Sequence, residues 1–370
     1  MRIAMLGHKR IPSREGGVEI VVEELAVRMV EKGHKVTCYN RSGHHVSGKE
    51  FDGKKLKSYK GIALKTVPAI NIKGIAAMTA SLFASIRAAF GRYDIVHFHT
   101  EGPCATLWLP KLLGKRCIVT VHGLDHQRSK WGRLARTYIM LGEKCAAKYA
   151  DEIIVLSRGV QAYFKEHYNR ETLLIPNGVT PVEPKAADLI TRQHGLKKDE
   201  YILYLGRVTP EKGIHYLIEA YKGLTTDKKL VIAGGASDSD GYFTSLRQMA
   251  AGNSNVLFTG FVQGQMLEEL YSNAYIYVLP SDLEGMPLSL LEAMSYGNCC
   301  VVSDIAENSD VVEQAGVTFA QGKPQALCKC LQTLCDAPAT VVEYKKKASD
   351  FICSKYSWDE VTDKTIQCYE

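Results

Sequence analysis

The sequence predicts an α/β protein of two domains, each a parallel sheet covered by helices, and three observations carry that prediction. Apolar runs of strand length alternate with stretches of helical period, beginning with Arg2–Leu6 and then Val18–Glu31. The alternation breaks at Pro176-Asn177-Gly178-Val179 and a polar segment, PVEPKAADLITRQHG, and a fresh strand, Tyr201–Leu205, restarts it. A chain of 370 residues is long enough for two full cores.

In the first half, strand Arg2–Leu6 ends at Gly7, and the helix that follows is apolar at Val18, Val21, Val22, Leu25, Met29 and Val30 and stops at Gly33. Strand Lys35–Tyr39, a Lys-rich loop or hairpin through Lys65, helix Gly74–Phe90, strand Asp94–His99, helix Pro103–Leu113 and strand Cys117–His122 continue the pattern. Helix Gly132–Ala150, strand Glu152–Leu156, helix Gly159–Tyr168 and strand Thr172–Ile175 complete it. Helix Gly74–Phe90 is rich in Ala and Ser, carries Arg87 and is barely long enough to span a bilayer, so it reads as a core or surface-lying helix. In such sheets ligands bind beyond the carboxyl ends of the strands. Those ends carry His97 and His99, then His122, Gly123 and Asp125. The first strand-to-helix turn, GHKRIPSREGG, lacks the G-x-G-x-x-G of a dinucleotide enzyme; Gly16 and Gly17 instead sit at the helix start, where bare backbone can approach a ligand.

In the second half, Tyr201–Leu205 runs into GRVTPEKG and helix Ile214–Tyr221, so Arg207 and Lys212 bracket one loop and can reach one anion. Strand Lys229–Gly234 leads to Asp238-Ser-Asp240, which reads as a solvated turn, and strand Val256–Thr259 leads to Gly260-Phe261-Val262. Strand Tyr275–Leu279 enters a tight loop, and a helix follows with Pro287 at its first position and Gly297 as its stop. Glu284 precedes that helix and Glu292 lies inside it, with the amides of Gly285, Met286 and Leu288 between them at the positive end of the dipole. A phosphate fits between two carboxylates that accept hydroxyls, which describes a nucleotide sugar; the other reading of the same residues is an ordinary strand-loop-helix turn with a solvated loop glutamate and an exposed helix glutamate. Val301–Ser303 forms another strand, the chain is helical from Lys323, and the tail YSWDEVTDKTIQCYE reads as a closing helix anchored by Trp358.

The net charge of +6 is uneven. Residues 1–178 hold 29 basic and 15 acidic side chains, a net of +14, while residues 179–370 hold 17 and 25, a net of −8. The first half therefore favours an anionic partner, a phospholipid surface, a lipid-linked diphosphate or nucleic acid. No helix-turn-helix, zinc-finger or aromatic strand motif marks a nucleic-acid reader. Eleven cysteines, an odd number without a C-x-x-C pair, fit buried free thiols in a reducing cytosol. His8, Lys9 and Arg10 cut short the first apolar run, so no signal peptide is expected and the location predicted is cytoplasmic, at the inner face of the plasma membrane.

The Glu284-x7-Glu292 spacing with Gly-x-Pro-Leu between resembles the donor-site motif of the retaining glycosyltransferases of family 4, and G-R-x-x-x-x-K-G from Gly206 to Gly213 resembles their diphosphate clamp. HGLD-x-x-R from His122 to Arg128 is similar to the matching segment of bacterial surface-polysaccharide members. The resemblance spans most of the chain and implies the GT-B fold: two Rossmann-like domains with parallel sheets facing across an interdomain cleft. It implies an acceptor domain at 1–177, a nucleotide-sugar domain at 178–350 and a C-terminal helix, 351–370, crossing back onto the first domain. It implies, residue by residue, that Glu284 contacts the sugar, Glu292 the ribose, Arg207, Lys212 and Leu288 the diphosphate, Val262 the base, Gly16 and Gly17 the donor phosphate, and His122 the donor sugar. Asp125 and Arg128 become acceptor-side candidates, while His97 and His99 stay structural. The expected reaction transfers a hexose to a lipid-linked saccharide with no cofactor and no metal, retaining the anomeric configuration by front-face departure and attack. A nucleotide-sugar epimerase or hydrolase on the same scaffold, and a sensor that binds the donor without turnover, are the rival readings; donor consumption without acceptor separates the first, and absence of turnover the second.

Overall fold

A computed structural model describes residues 1–43, 56–70, 72, 74–128, 131–235 and 240–370, and the chain divides into two compact units. Unit 1 comprises Met1–Gly178 with Trp358–Glu370, and unit 2 comprises Val179–Ser357.

Unit 1 is built on β1 (Arg2–Leu6), β2 (Lys35–Arg41), β3 (Ser58–Tyr59), β4 (Ile62–Val67), β5 (Ile95–His99), β6 (Arg116–Val121), β7 (Glu152–Val155) and β8 (Leu173–Leu174). Their spatial order is β3-β4-β2-β1-β5-β6-β7-β8, parallel except for the β3/β4 hairpin. The strands are apolar throughout because both faces are covered: Ile3, Met5, Val96, Phe98, Ile118 and Val119 are fully buried. Each such aliphatic or aromatic side chain contributes about 1.5–3 kcal/mol. The covering helices are α1 (Gly17–Glu31), α2 (Ile75–Ala89), α3 (Trp108–Leu112), α4 (Arg133–Tyr149) and α5 (Arg158–Tyr168). The single helix expected over Pro103–Leu113 is two pieces, a 3-10 turn at Gly102–Thr106 and then α3. Pro110 has no amide to donate back to Thr106, so one continuous α-helix cannot run through both.

Among the described residues unit 2 has six parallel strands, in the order β11-β10-β9-β12-β13-β14. They are β9 (Tyr201–Leu205), β10 (Lys229–Ala233), β11 (Val256–Gly260), β12 (Ile276–Leu279), β13 (Cys299–Ser303) and β14 (Val317–Phe319). Around them lie α6 (Leu189–His194), α7 (Ile214–Lys222), α8 (Asp240–Met249), α9 (Gln265–Asn273), α10 (Leu288–Ser295), α11 (Ala306–Val312), α12 (Pro324–Asp336) and α13 (Pro338–Lys355). Of the Asp238/Asp240 pair, Asp238 lies outside the described residues and Asp240 opens α8.

The chain returns to unit 1 with α14 (Trp358–Gln367), which packs on α1. Helix α13 runs on to Lys355, so the return begins at Trp358 rather than at Phe351. Trp358 is buried, and a Cβ on Gly178 would lie 2.6 Å from its backbone nitrogen, so only glycine admits this contact. Beyond α14 the Tyr369 hydroxyl reaches His97 Nδ1 at 2.7 Å inside unit 1, while His97 Nε2 meets Thr120 Oγ1 at 2.8 Å. His97 is therefore committed to packing. All eleven cysteines are free.

Candidate functional site

In unit 2 the carboxyl ends of the adjacent strands β9 and β12 carry two loops that are locked together. Gly213, at φ +65°, would place a Cβ 2.0 Å from the Pro280 carbonyl oxygen, and the Asp282 amide donates to the Glu211 carbonyl at 2.8 Å. This contact brings Lys212 onto Glu284: Nζ lies 2.5 Å and 2.8 Å from the two carboxylate oxygens, with side chains only 11% and 7% exposed. The Ser281 hydroxyl donates to Glu284 Oε1 at 2.6 Å. Lys212 and Glu284, expected from the sequence to contact a diphosphate and a sugar separately, are thus one buried ion pair.

Arg207 follows β9, where its carbonyl accepts the Tyr204 hydroxyl at 2.7 Å. Gly206 beside it faces α10, since a Cβ there would lie 4.0 Å from Ser289 Oγ. The Tyr271 hydroxyl spans Ser289 O at 3.3 Å and Glu292 Oε2 at 3.4 Å, and so fixes Glu292 one turn inside α10. Two buried tyrosines form the floor. Burial first, then Tyr277 and Glu284, raise the Tyr204 hydroxyl well above its ordinary range. Burial also raises Tyr277, which senses both Glu284 and Glu292. Arg207, Lys212, Glu284 and Glu292 therefore share one end of the sheet.

Helix α10 begins one residue later than expected. Pro287 is extended, at ψ 102°, and its carbonyl accepts the Leu290 and Leu291 amides, so it precedes the helix rather than opening it. The first-turn amides of Leu288 and Ser289 then point out of the helix end. Gly285, Met286 and Leu288 are buried in this turn. Val262, also buried, lies between β11 and α9, beyond β10 from the clamp loop. Sequence reasoning missed Glu269 of α9, whose Oε2 accepts the amides of Asp188 and Ile190 at 2.9 Å and 3.0 Å and caps α6.

In unit 1 the ends of β1, β5 and β6 converge. Gly7, at φ +107°, would place a Cβ 2.1 Å from the His99 carbonyl oxygen. His99 Nδ1 lies 3.1 Å from His122 Nε2, so the sugar-site candidate rests on the neighbouring histidine. Burial pushes His122 down to about 4 against the opposing charges of Asp125 and Glu19, so the ring is neutral at physiological pH. Gly16 caps α1 with extended backbone, and Gly17 is the first helical residue. Glu19 folds back at this start, where its Oε1 accepts the Lys9 amide at 2.8 Å. A Cβ on Gly16 would lie 2.5 Å from Glu19 Oε2. Burial alone would raise Glu19; the charge and amide of Lys9, with His8, hold it below the usual carboxylate range.

The acceptor candidates are joined to each other, with Arg128 Nε donating to Asp125 Oδ1 at 2.7 Å. Beneath them lies a cluster that the sequence did not announce. Glu101 Oε2 accepts the Asp125 amide at 2.8 Å, and Glu143 takes His126 Nδ1 at 3.0 Å and the Tyr163 hydroxyl at 2.8 Å. Burial, then the charges of Asp125 and Glu143, raise Glu101 well above the carboxylate range, so it holds a proton beside Glu143. Among the described residues Glu101, His126 and Glu143 are the group whose ligand atoms, all within 4.8 Å of one another, could hold a metal ion.

Two family profiles match the chain: Glycosyltransferase Family 4 over residues 15–183 and Glycosyl transferases group 1 over residues 187–351. An uncharacterised glycosyltransferase of Methanocaldococcus jannaschii is 25% identical, over 100% of this chain and 98% of its own. The Escherichia coli UDP-Gal:alpha-D-GlcNAc-diphosphoundecaprenol alpha-1,3-galactosyltransferase is 32% identical over 60% of each chain. Among solved structures, an Anabaena protein in complex with UDP and glucose superposes with a TM-score of 0.82, at 17% identity over 99% of this chain and 98% of that one. Both halves of the sequence, and the fold they adopt, thus converge: the chain belongs to glycosyltransferase family 4 and has the GT-B fold.

Proposed function

We propose that this chain is a retaining transferase that moves a hexose from a nucleoside-diphosphate sugar to a hydroxyl of a lipid-linked saccharide in cell-surface polysaccharide synthesis, at the cytoplasmic face of an anionic membrane. The observation that carries the reading is the interlocked pair of loops in unit 2, which sets Lys212 on Glu284 and the Arg207 loop against the start of α10. The E. coli relative, named for a UDP-galactose donor and a diphosphoundecaprenol-linked acceptor, and the Anabaena complex with UDP and glucose support it.

In this reading, donor binding redistributes the Lys212 hydrogens between Glu284 and the leaving diphosphate. Arg207 and the Leu288 amide add to the charge stabilisation, and no metal is needed. Glu284 accepts sugar hydroxyls, Glu292 the ribose, and Val262 lies against the base. Neutral His122 serves the sugar as a hydrogen-bonding group rather than as an ion, Gly16 and Gly17 admit the donor phosphate, and the joined Asp125 and Arg128 face the acceptor. The anomeric carbon–oxygen bond breaks with its electron pair going to the diphosphate. The acceptor oxygen attacks from the same face, and its proton passes to the leaving phosphate oxygen.

The test is transfer from a panel of uridine, guanosine and deoxythymidine diphosphate hexoses to a lipid-diphosphate saccharide, with and without chelator, and with the anomeric linkage read by NMR. We expect one donor to give a linkage of the donor's own configuration, unaffected by chelator. Glu284→Gln should lose about a hundredfold or more in kcat. Donor hydrolysis without transfer, an inverted linkage, or full turnover by Glu284→Gln would sink the reading.

A further inference from the structure

Helix α2 is built inside out. Its core-facing positions are small, Ala80, Ser81, Ala84, Ser85, Ala88 and Ala89, all buried. Its large apolar side chains, Ile75, Met78, Leu82, Phe83 and Ile86, with Phe90 just beyond, stand in solvent at helical spacing. An ordinary surface helix does the reverse.

The neighbouring helices also leave large apolar side chains exposed. Helix α2 packs on α3, and α3 on α4. Trp108 and Leu112 of α3, and Leu134 and Leu141 of α4, are likewise exposed. Phe90 and Leu112 are each 76% exposed and Leu134 is 89% exposed. Soluble proteins seldom leave so many large apolar groups together in water unless something covers them.

The charges on these helices name the cover. Arg87, Arg133, Arg136, Lys144 and Lys148 are exposed along α2 and α4, and the one acidic residue in the three helices, Glu143, is fully buried. A second copy of the chain seated on this face would set like charges against each other. An anionic bilayer satisfies both features, with acyl chains for the apolar groups and phosphates for the rim.

We propose that the exposed face of α2, α3 and α4 is a membrane-docking surface that inserts its apolar side chains into the headgroup–acyl boundary of an anionic bilayer. Charge alone would hold the protein above the lipid; this surface seats it in the boundary, where a lipid-linked acceptor presents its saccharide. The purpose rests on the lipid-linked acceptor proposed above, but the binding does not, and it is tested without substrate.

The full chain is sedimented with vesicles of equal parts phosphatidylglycerol and phosphatidylcholine, and with phosphatidylcholine alone, at low salt and at about 1 M salt, where charges are screened within about 3 Å. Expected are binding to the anionic vesicles, a fraction that survives high salt, and a loss of about tenfold or more in Phe90→Ser/Leu112→Ser/Leu134→Ser. Because all three side chains are solvent-exposed, the variant should keep the wild-type melting temperature and its transfer to a short, water-soluble acceptor. Arg133→Ser/Arg136→Ser/Lys144→Ser should lose the salt-sensitive part and keep the rest. Wild-type protein left in the supernatant, or a triple serine variant that binds like wild type, would overturn the proposal. So would concentration-dependent self-association abolished by the serine variant, which would assign the face to a second copy. Wild-type protein that binds no vesicles yet still glycosylates the lipid-linked acceptor refutes this surface alone; wild-type vesicle binding without any transfer refutes the function alone.

Discussion

Removing the Lys212 ammonium separates what the buried ion pair does for the fold from what it does for the reaction. Lys212→Met keeps the chain length and leaves the Glu284 carboxylate, 7% exposed, with the Ser281 hydroxyl but without its cation. Breaking a buried pair by removing one partner costs about 3–5 kcal/mol. The surviving Ser281 bond places this case at the lower end, about 3 kcal/mol. In a unit the size of Val179–Ser357 that is a fall of about 6–12 °C in the calorimetric Tm of its transition. Glu284→Gln removes the carboxylate on which the buried lysine rests and should likewise cost about 3 kcal/mol. The double variant Lys212→Met/Glu284→Gln removes both charges and should recover about 2 kcal/mol relative to the sum of the singles. Turnover should not recover: the double variant should stay about a hundredfold or more below wild type, because a lost transition-state cation is not replaced by methionine. Strictly additive Tm changes would refute the pairing, and activity that returns with stability would show the pair to be structural only.

The remaining predictions concern unit 1. Because burial raises the Glu101 carboxyl above its unfolded value, the folded state holds a proton that the unfolded chain releases above about pH 4.5. That contribution is full at low pH and fades as pH rises toward the folded value. Glu101→Gln, permanently neutral and able to accept the Asp125 amide, should therefore gain in Tm relative to wild type from pH 5 to pH 8; a constant difference across that range would mean that Glu101 is ionised. Gly142→Ala would place a Cβ 2.0 Å from the Glu101 carbonyl oxygen and force α4 off the Gly102–Thr106 turn. It should cost about 2 kcal/mol or more by urea unfolding, within the range for overpacking, and a neutral outcome would show that the contact yields easily.

The fold was legible because each half repeats a strong local signal. Continuous apolar strands such as Tyr201–Leu205 can be placed only in a sheet covered on both faces, and the strand read at Val301–Ser303 starts two residues earlier, at Cys299. The glutamate loop was legible because its residues lie within one strand-loop-helix turn, which a reader sees whole. The Lys212–Glu284 pair was not, since the two residues are 72 positions apart and meet only because β9 and β12 are neighbours. Glu19 could have been found: it stands three residues after the capping Gly16, where a glutamate reaches back to the preceding loop. Glu101 and Glu143 gave no such signal, as each is an isolated acid in an apolar stretch whose meaning comes from packing across α4. Helix α2 showed its length and composition but not its orientation, because its side of small Ala and Ser residues, and not its stripe of large apolar ones, faces the core.

Tyr369 anchors residues 358–370 inside unit 1, so that unit is made from two segments separated by the whole of unit 2. During synthesis the first segment emerges early, yet its interior keeps a vacancy at His97 until more than half of the polypeptide has followed. Unit 2 has no such dependence and can mature while the earlier segment waits. A fragment cut at Gly178 would carry that gap permanently, which makes the closing segment a late checkpoint on whether unit 2 has been made.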